Sequence, residues 1–308
     1  MRFLERARAL YEEKGRDMIK NNFAEYEGRI AVGLAGRGSQ CYGFDDELSA
    51  DHDYTLGFCL WLDDETESAI GLELRRAYRD ILPGGKAQRS AMGGDGMGVC
   101  PIGDFFLPYT GTRGAPTELL HWLKLPSHAL AEATNGQVWR DEAGEFSAIR
   151  QRLLHDMPED VRIKKLAAAV LIMAQSGQYN YSRCLKRGEQ GAAMLALTEF
   201  VKAACSAIYL LNRRHMPYYK WTFRGMDTLE QLSQLKGALE FLLTAENDGD
   251  GQRLKADIVE DICSQIVQQL KAQRLSCGSW DYLEPHALDM HEHIHNAQLR
   301  SLHILEGW

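Results

Sequence analysis

Ser39, Asp51 and Asp53 have the residue types and the spacing of a site for phosphate and a divalent cation. Ser39 follows Gly38, and this pair offers backbone N–H groups and a hydroxyl to a phosphate without a larger side chain in the way. Asp51 and Asp53 are two residues apart, so in a strand both carboxylates face the same side. Because two such carboxylates repel each other, we expect a cation between them, and Mg²⁺ prefers oxygen ligands of this kind.

Two apolar segments frame these polar residues and predict the elements that position them. Residues 29–35 (RIAVGLA) form a short apolar run, which indicates a buried strand whose carboxyl end leads into the site. Residues 54–62 (YTLGFCLWL) form a second such run directly after Asp53. The sequence therefore predicts two strands, with the glycine-serine pair after the first and the two aspartates at the start of the second.

This order of elements resembles a known family motif. A strand, Gly38-Ser39, about a dozen further residues and Asp51-His52-Asp53 at the next strand are similar to the motif of the polymerase-beta-type nucleotidyltransferase superfamily. The resemblance implies ATP or another nucleoside triphosphate bound through Ser39 and Mg²⁺, with Asp51 and Asp53 as metal ligands. His52 departs from the pattern, which usually has an apolar residue between the two acids.

The alternative interpretation of the same stretch is an acidic surface loop, since residues 45–47 are also acidic. Glycine-serine and Asp-x-Asp are each common in proteins. A motif of this kind counts only with its structural context, here a strand on each side.

Asp104 is the candidate for a third carboxylate. Residues 99–109 (VCPIGDFFLPY) predict a third strand, and an acid inside an apolar strand is costly to bury unless it is paired or binds a metal. In the resembled superfamily, a third carboxylate on a neighbouring strand completes the metal site or acts as base toward the acceptor hydroxyl. The alternative is an edge-strand acid that faces solvent, and Asp95 and Asp141 are rival candidates.

The chain divides into two predicted domains with an α+β fold. Residues 1–150 are predicted to form a nucleotidyltransferase-like catalytic domain, a mixed sheet with flanking helices, and residues 151–308 a helical bundle. Apolar residues at helical spacing predict the main helices of both domains, at residues 1–22, 66–81, 159–176, 189–214, 226–243 and 252–274.

The second half resembles a further family. Residues 180–187, Glu189 and residues 213–221 (RRHMPYYKW) are similar to a nucleotidyltransferase-like family whose C-terminal domain is described as of unknown function, the domain-of-unknown-function 4037 type. The layout is also similar to aminoglycoside nucleotidyltransferases, in which a helical bundle faces the sheet and holds the acceptor. That analogy implies that Lys220 approaches the triphosphate and that Glu189 lies near the acceptor. The alternative for Lys220 is a lysine whose stem covers apolar surface beside a helix end.

Composition restricts the class of protein. The formal net charge of −8 and the pI near 5.7 argue against a general nucleic-acid binder, whose phosphate contacts need a basic surface, and favour a small-molecule substrate or a protein partner. Seven scattered cysteines without a Cys-x-x-Cys pair indicate a reducing compartment, so we expect a cytoplasmic location. We also expect no membrane span, since no run of about 18 uncharged apolar residues occurs.

A rival motif lies near the C-terminus. His291-Glu292-His293-Ile294-His295 matches His-Glu-x-x-His, which on a helix places two histidines on one face for zinc, with the glutamate as general base. The extended form of the motif needs a third histidine six residues later, and Ser301 occupies that position. A zinc hydrolase, a structural metal site and a solvated histidine-rich helix are the alternatives.

The sequence as a whole predicts a magnesium-dependent nucleotidyltransferase with its site in the cleft between the two domains. The expected reaction transfers a nucleoside monophosphate, AMP when the donor is ATP, to a hydroxyl of a small molecule or protein and releases pyrophosphate. The alternative is a nucleotide-binding regulatory or protein-interaction module without turnover.

Overall fold

The structure is a computed structural model that describes residues 2–46, 56–83 and 97–308. It is an α+β protein with two compact units. The first unit comprises Met1–Pro116 and Leu125–Asp156, and the second comprises Thr117–Lys124 and Met157–Trp308.

The first unit is built on a mixed sheet of four described strands. These are β1 (Ile30–Leu34), β2 (Cys59–Leu62), β3 (Gly98–Pro101) and β4 (Gln137–Arg140), in the order β3-β2-β1-β4. β1 is antiparallel to both β2 and β4, whereas β2 and β3 are parallel. All residues of β1 and β2 are buried, as their apolar sequences predict.

The strand register shows which strands begin and which finish at each end of the sheet. Gly33 of β1 pairs with Cys59, Leu34 pairs with Gln137, and Cys59 pairs with Gly98. β1 therefore finishes, and β2, β3 and β4 begin, at one end of the sheet, which we call the turn end. Leu62, Pro101 and Arg140 finish their strands at the opposite end.

Helices lie around this sheet. A continuous helical segment contains α1 (Phe3–Leu10), a π-helical turn (Tyr11–Gly15) and α2 (Arg16–Asn22). Further along the chain, α4 (Asp64–Ile81) begins where the Asp63 carboxylate accepts the Thr66 N–H at 2.9 Å, which caps the helix. The remaining helices of the unit are α3 (Ser39–Tyr42), α5 (Ile102–Thr110), α7 (Ser127–Thr134) and α8 (Glu145–His155); α6 (Leu119–Lys124) belongs to the second unit.

Alternate residues of β2 pack on opposite faces of the sheet. Leu60 joins the core formed with the N-terminal helical segment and α4. Trp61 points the other way and stacks on Phe146 of α8, with ring centroids 3.8 Å apart, and contacts Phe105 of α5 edge-on. Both faces are therefore covered, and the functional groups of the unit must lie at the ends of the sheet or on the outer helices.

The second unit is helical throughout. Its apolar core is formed mainly by α9 (Glu159–Met173), α11 (Gln190–Leu211) and α14 (Gly249–Ala272), and Leu166, Phe200 and Ile266 are fully buried there. The helices are α6, α9, α10 (Ser182–Lys186), α11, α12 (Tyr219–Met226), α13 (Lys236–Thr244), α14, α15 (Leu283–Glu292) and α16 (Ala297–Ser301).

By length and composition alone, α11 is the one helix among the described residues that could cross a membrane. The core helix of a soluble protein meets the same criteria, and 61% of the apolar window in α11 is buried inside the structure.

Most of the long predicted elements are confirmed, and two predictions are wrong. β1, α4, α11 and α14 lie at the predicted positions. The predicted strand at residues 99–109 is instead the short β3 followed by α5. Ile102, Phe105, Phe106 and Tyr109 recur at intervals of three and four, which is a helical pattern within a run that also looks like a buried strand.

The second wrong prediction is one helix over residues 226–243. The chain breaks there between α12 and α13, and Leu232 adopts a left-handed conformation with φ of 61°. Asn212, just after α11, holds this break because its side chain accepts the Gln231 N–H at 2.8 Å and donates to the Gln231 carbonyl at 2.9 Å. A side-chain contact from the end of α11 therefore overrides the local helical pattern.

Candidate functional site

The candidate site is centred on the turn Gly36–Ser39 at the turn end of the sheet. Gly36 and Gly38 have φ values of 119° and 101°, a region that residues with a side chain rarely adopt. A Cβ atom on Gly38 would lie 2.3 Å from the Oε1 atom of Gln40. The positive φ values therefore favour glycine at both positions, and without side chains here the backbone of the turn can approach a ligand closely.

Asn135, which precedes β4, fixes the start of this turn. The Gly36 N–H donates to Asn135 Oδ1 at 2.8 Å, and Asn135 Nδ2 donates to the Gly36 carbonyl at 2.7 Å. Both backbone groups of Gly36 are thus paired with one side chain. The position of the turn is consequently set by the β4 side of the sheet as well as by β1.

Gln40 folds back over the turn. Its side chain is 3% exposed, and its Nε2 atom donates to the Arg37 carbonyl at 3.5 Å. The Oε1 atom is buried and has no hydrogen-bond partner in the part of the chain that the structure describes. A buried acceptor without a donor is unfavourable, so this atom marks a place where a donor on a ligand or water would be accommodated.

Arg37 and Glu132 form the charged part of the site. Arg37, on the turn, is 66% exposed, and its Nε atom lies 3.6 Å from Oε2 of Glu132 on α7, which is 17% exposed. The Arg37 guanidinium also lies over the Tyr109 ring, 5.9 Å from its centroid. Burial raises the pKa of the Glu132 carboxyl, and the neighbouring Arg37 partly opposes that rise.

Two tyrosines line the same region. Burial raises the pKa of both Tyr42 and Tyr109, and the nearby Glu132 carboxylate contributes to each shift. The hydroxyl of Tyr109 would lie 3.1 Å from a Cβ atom on Gly36. Both phenols are therefore neutral near pH 7 and can exchange hydrogen bonds without adding charge to the site.

The predicted metal ligands Asp51 and Asp53 lie outside the described residues. Gly38 and Ser39 lie at the turn end as predicted, with Ser39 buried at the start of α3. The chain that follows Asp53 in sequence rejoins the described structure at Leu56 and leads into β2, which also begins at the turn end. The rival third acid, Asp95, lies outside the described residues too.

Asp104 is not in a strand, which corrects the prediction for its surroundings. It lies in the first turn of α5, is 47% exposed and forms an ion pair with Arg113. Arg113 also pairs with Asp64, which follows β2. Both acids therefore lie at the opposite end of the sheet from the turn that contains Ser39. Asp104 is thus explained by its pairing with Arg113.

The other rival, Asp141, follows β4 and so also lies at the opposite end. Its carboxylate accepts the Gly144 N–H at 3.0 Å and the Ser147 N–H at 2.7 Å, at the beginning of α8. These bonds account for Asp141 as a capping residue.

Lys220 and Glu189 lie in the helical unit. Lys220 is the second residue of α12 and is exposed, and Glu189 is the exposed residue that precedes α11. Their predicted contacts with the triphosphate and the acceptor rest on the resemblance alone.

The two predicted metal sites differ in which residues could bind an ion. Across residues 2–46, 56–83 and 97–308, no group of three or more histidine, cysteine, aspartate or glutamate side chains could hold an ion. A magnesium site therefore depends on Asp51 and Asp53, whose residue types suit that ion. The His-Glu-x-x-His segment is not one helix, because α15 ends at Glu292, between its two histidines; His291 Nε2 lies 3.0 Å from Lys164 Nζ, and His295 is exposed.

Comparison with known proteins identifies one family. Residues 122–222 match the domain of unknown function DUF4037. This confirms the resemblance to the DUF4037 domain over those residues, which include Glu132, Asn135 and Lys220. No curated protein and no solved structure matches the chain.

Arg37, Glu132 and Asn135 are among the residues of the site that the sequence did not predict. Arg37 carried a usable signal, since it stands between the two glycines of Gly-Arg-Gly-Ser. Glu132 and Asn135 carried none, because they reach the turn through the folding of α7 and β4 onto the sheet.

Proposed function

We propose that this chain is a magnesium-dependent nucleotidyltransferase. It transfers a nucleoside monophosphate, AMP when the donor is ATP, to a hydroxyl of a small-molecule or protein acceptor and releases pyrophosphate. The chain would act in the cytoplasm. The proposal extends the resemblance of Gly38-Ser39 and Asp51-His52-Asp53 to the polymerase-beta superfamily, which lies outside the segment that matches DUF4037.

One observation carries the proposal. β1 ends and β2 begins at the same end of the sheet, because these neighbouring strands are antiparallel with Gly33 opposite Cys59. The turn Gly36–Ser39 leaves that end, and the described chain that resumes at Leu56, after Asp51 and Asp53 in the sequence, leads into β2 at the same end. The described strands therefore support the order of elements that the motif requires.

In this reaction an oxygen of the acceptor attacks the α-phosphorus of the nucleotide. The bond from that phosphorus to the oxygen bridging the α- and β-phosphates breaks, the proton of the acceptor hydroxyl is lost, and pyrophosphate leaves. Bound Mg²⁺ would neutralise charge on the triphosphate. The backbone of the turn and Ser39 would orient the phosphates, and Asp51 and Asp53 would hold the metal.

The structure leads us to propose a different acid as the third carboxylate. Asp104 lies at the opposite end of the sheet and is paired with Arg113. Asp95 replaces it as the candidate to complete the metal site or to accept the proton, because Asp95 precedes β3 in the sequence and β3 begins at the turn end. Lys220 stays a proposed contact of the triphosphate.

The test is turnover of ATP labelled at the α-phosphate with a panel of hydroxyl-bearing small molecules and proteins. The expected result is labelled acceptor together with an equal amount of pyrophosphate, and loss of both products in Asp51→Asn/Asp53→Asn. Metal-dependent ATP binding without product on any acceptor would instead support the alternative, a nucleotide-binding regulatory module.

A further inference from the structure

The contacts of Arg37 in the candidate site are too weak to explain its position by a role in stability. It stands between two glycines whose φ values are positive, so the backbone presents its side chain from a constrained turn. The guanidinium is nevertheless 66% exposed, 3.6 Å from Glu132 and stacked loosely over Tyr109. An exposed pair at this distance contributes little stability, so the arrangement suggests a role other than holding the fold together.

Glu132 is the more buried member of the pair. Its side chain is 17% exposed, and among the described residues the charged or titratable groups around it are Arg37 on the turn, Cys41 and Tyr42 on α3, Tyr109 on α5 and His128 on α7. Burial raises the pKa of the Glu132 carboxyl, whereas Arg37 and then His128 oppose the rise. The ionised form of this carboxylate therefore depends mainly on Arg37.

We propose that Arg37 binds the phosphates of the nucleotide and that Glu132 holds its guanidinium in place until the nucleotide arrives. This inference rests on the proposed function and adds a phosphate-binding residue, Arg37, and a positioning residue, Glu132, to the same site. On binding, the guanidinium moves from the Glu132 carboxylate to phosphate oxygens. The buried carboxylate, left without its cation, takes up one proton from solvent.

The exchange of partners is favourable on general grounds. The planar guanidinium donates two parallel hydrogen bonds to a phosphate, and such charge-assisted pairs are stronger than a single contact. The pair with Glu132 is already long at 3.6 Å and open to water, so breaking it costs little. Protonation then removes the cost of an unpaired buried charge.

The experiment is calorimetric titration of ATP with Mg²⁺ into the full-length chain, in two buffers that differ in ionisation enthalpy, between about pH 5 and pH 7, above the ordinary glutamate pKa. The difference between the buffers gives the number of protons taken up. We expect net proton uptake for wild type. Glu132→Gln should still bind ATP but take up no proton.

Arg37→Ala should bind ATP about tenfold or more weakly, as expected for loss of hydrogen bonds to a charged group. Arg37→Lys, which keeps the charge but not the planar fork, should bind with intermediate affinity. The matched control is Arg113→Ala, because Arg113 is also an exposed arginine that pairs with carboxylates but lies at the opposite end of the sheet; its affinity should equal that of wild type.

Different results would overturn this inference and the proposed function. If wild type binds ATP through Asp51 and Asp53 but Arg37→Ala binds equally well, the inference is wrong and the proposed function stands. Equal proton uptake in wild type and Glu132→Gln would show that Glu132 is not the group that takes up the proton. If wild type binds no nucleoside triphosphate, both are overturned.

Discussion

The Asn135 side chain pairs with both backbone groups of Gly36, through bonds of 2.8 Å and 2.7 Å. The two residues are 99 positions apart in the chain. These bonds continue the pairing of β1 with β4 beyond Leu34 and Gln137, with a side chain in the place of a strand backbone. The turn of the candidate site is therefore anchored by a residue outside it.

Asn135→Ala should weaken both the fold and the site. Removing the amide leaves a partly buried N–H and carbonyl of Gly36 without partners, which costs about 1–3 kcal/mol in the free energy of unfolding. The turn would also lose its anchor, so the affinity for ATP with Mg²⁺ should fall. Urea denaturation measures the first effect and calorimetric titration the second.

Asn212→Ala is the matched control for that variant. Asn212 makes the same two bonds to the backbone of Gln231, but in the helical unit. Because these bonds are exposed, water can replace them, so we expect a smaller loss of stability than in Asn135→Ala and no change in ATP affinity. An equal loss of affinity in both variants would show that the Asn135 effect is one of general stability.

Tyr78→Phe tests the buried contact between α4 and the residue before β2. The Tyr78 hydroxyl donates to the Phe58 carbonyl at 2.7 Å and accepts the Phe58 N–H at 2.8 Å, and burial raises the pKa of this phenol. The variant leaves the Phe58 N–H unpaired in a buried place, whereas the Phe58 carbonyl keeps the Gly98 N–H at 2.9 Å, so the free energy of unfolding should fall by about 1–3 kcal/mol. Tyr179→Phe is the control, since Tyr179 is 48% exposed and keeps its ring contact with Arg183; a comparable loss there would contradict the assignment.

Because of Glu159, the stability of the helical unit should depend on pH in the acid range. Hydrogen bonds from Arg162, and also from Arg213, lower the pKa of Glu159 to about 2. Because the folded-state pKa lies below the unfolded value near 4.5, the stabilisation is present above about pH 4.5 and is lost as the pH falls toward 2. The carboxylate is 45% exposed, so solvent screening limits the effect to about 1 kcal/mol.

The measurement for Glu159 is the free energy of unfolding in urea between about pH 5 and pH 2, the interval set by its two pKa values, in wild type and Glu159→Gln. The variant should be less stable at the upper limit, and the difference should shrink as the pH falls. A difference that stays constant across this range would contradict the link to Glu159 ionisation.

The sequence was sufficient for elements whose pattern has one interpretation. α11 and α14 have long helical periodicity, and β1 is a short apolar run bounded by glycines, so their types were predicted correctly. α5 was mistaken for a strand because an apolar run of that length fits both structures. The break at Leu232 was missed because it depends on the side chain of Asn212, which lies on another part of the chain.

The candidate site was predictable only in part for the same reason. Gly38 and Ser39 carry a local motif, and the structure places them at the end of β1. Arg37, Glu132 and Asn135 meet only through the pairing of β1 with β4 and the packing of α7, and no periodicity links them. Asp104 looked suitable because its neighbours are apolar, but its helix turns it outward toward Arg113.

The central claim is that Asp51 and Asp53 bind a metal that holds a nucleoside triphosphate beside Ser39. The most direct test is calorimetric titration of ATP, with and without Mg²⁺, into wild type and Asp51→Asn/Asp53→Asn. The matched control is Asp64→Asn/Asp104→Asn, which changes the net charge equally at the opposite end of the sheet. We expect magnesium-dependent binding to wild type and to the control, and none to Asp51→Asn/Asp53→Asn. Absence of binding to wild type with any nucleoside triphosphate, or unchanged binding in the double variant, would contradict this claim.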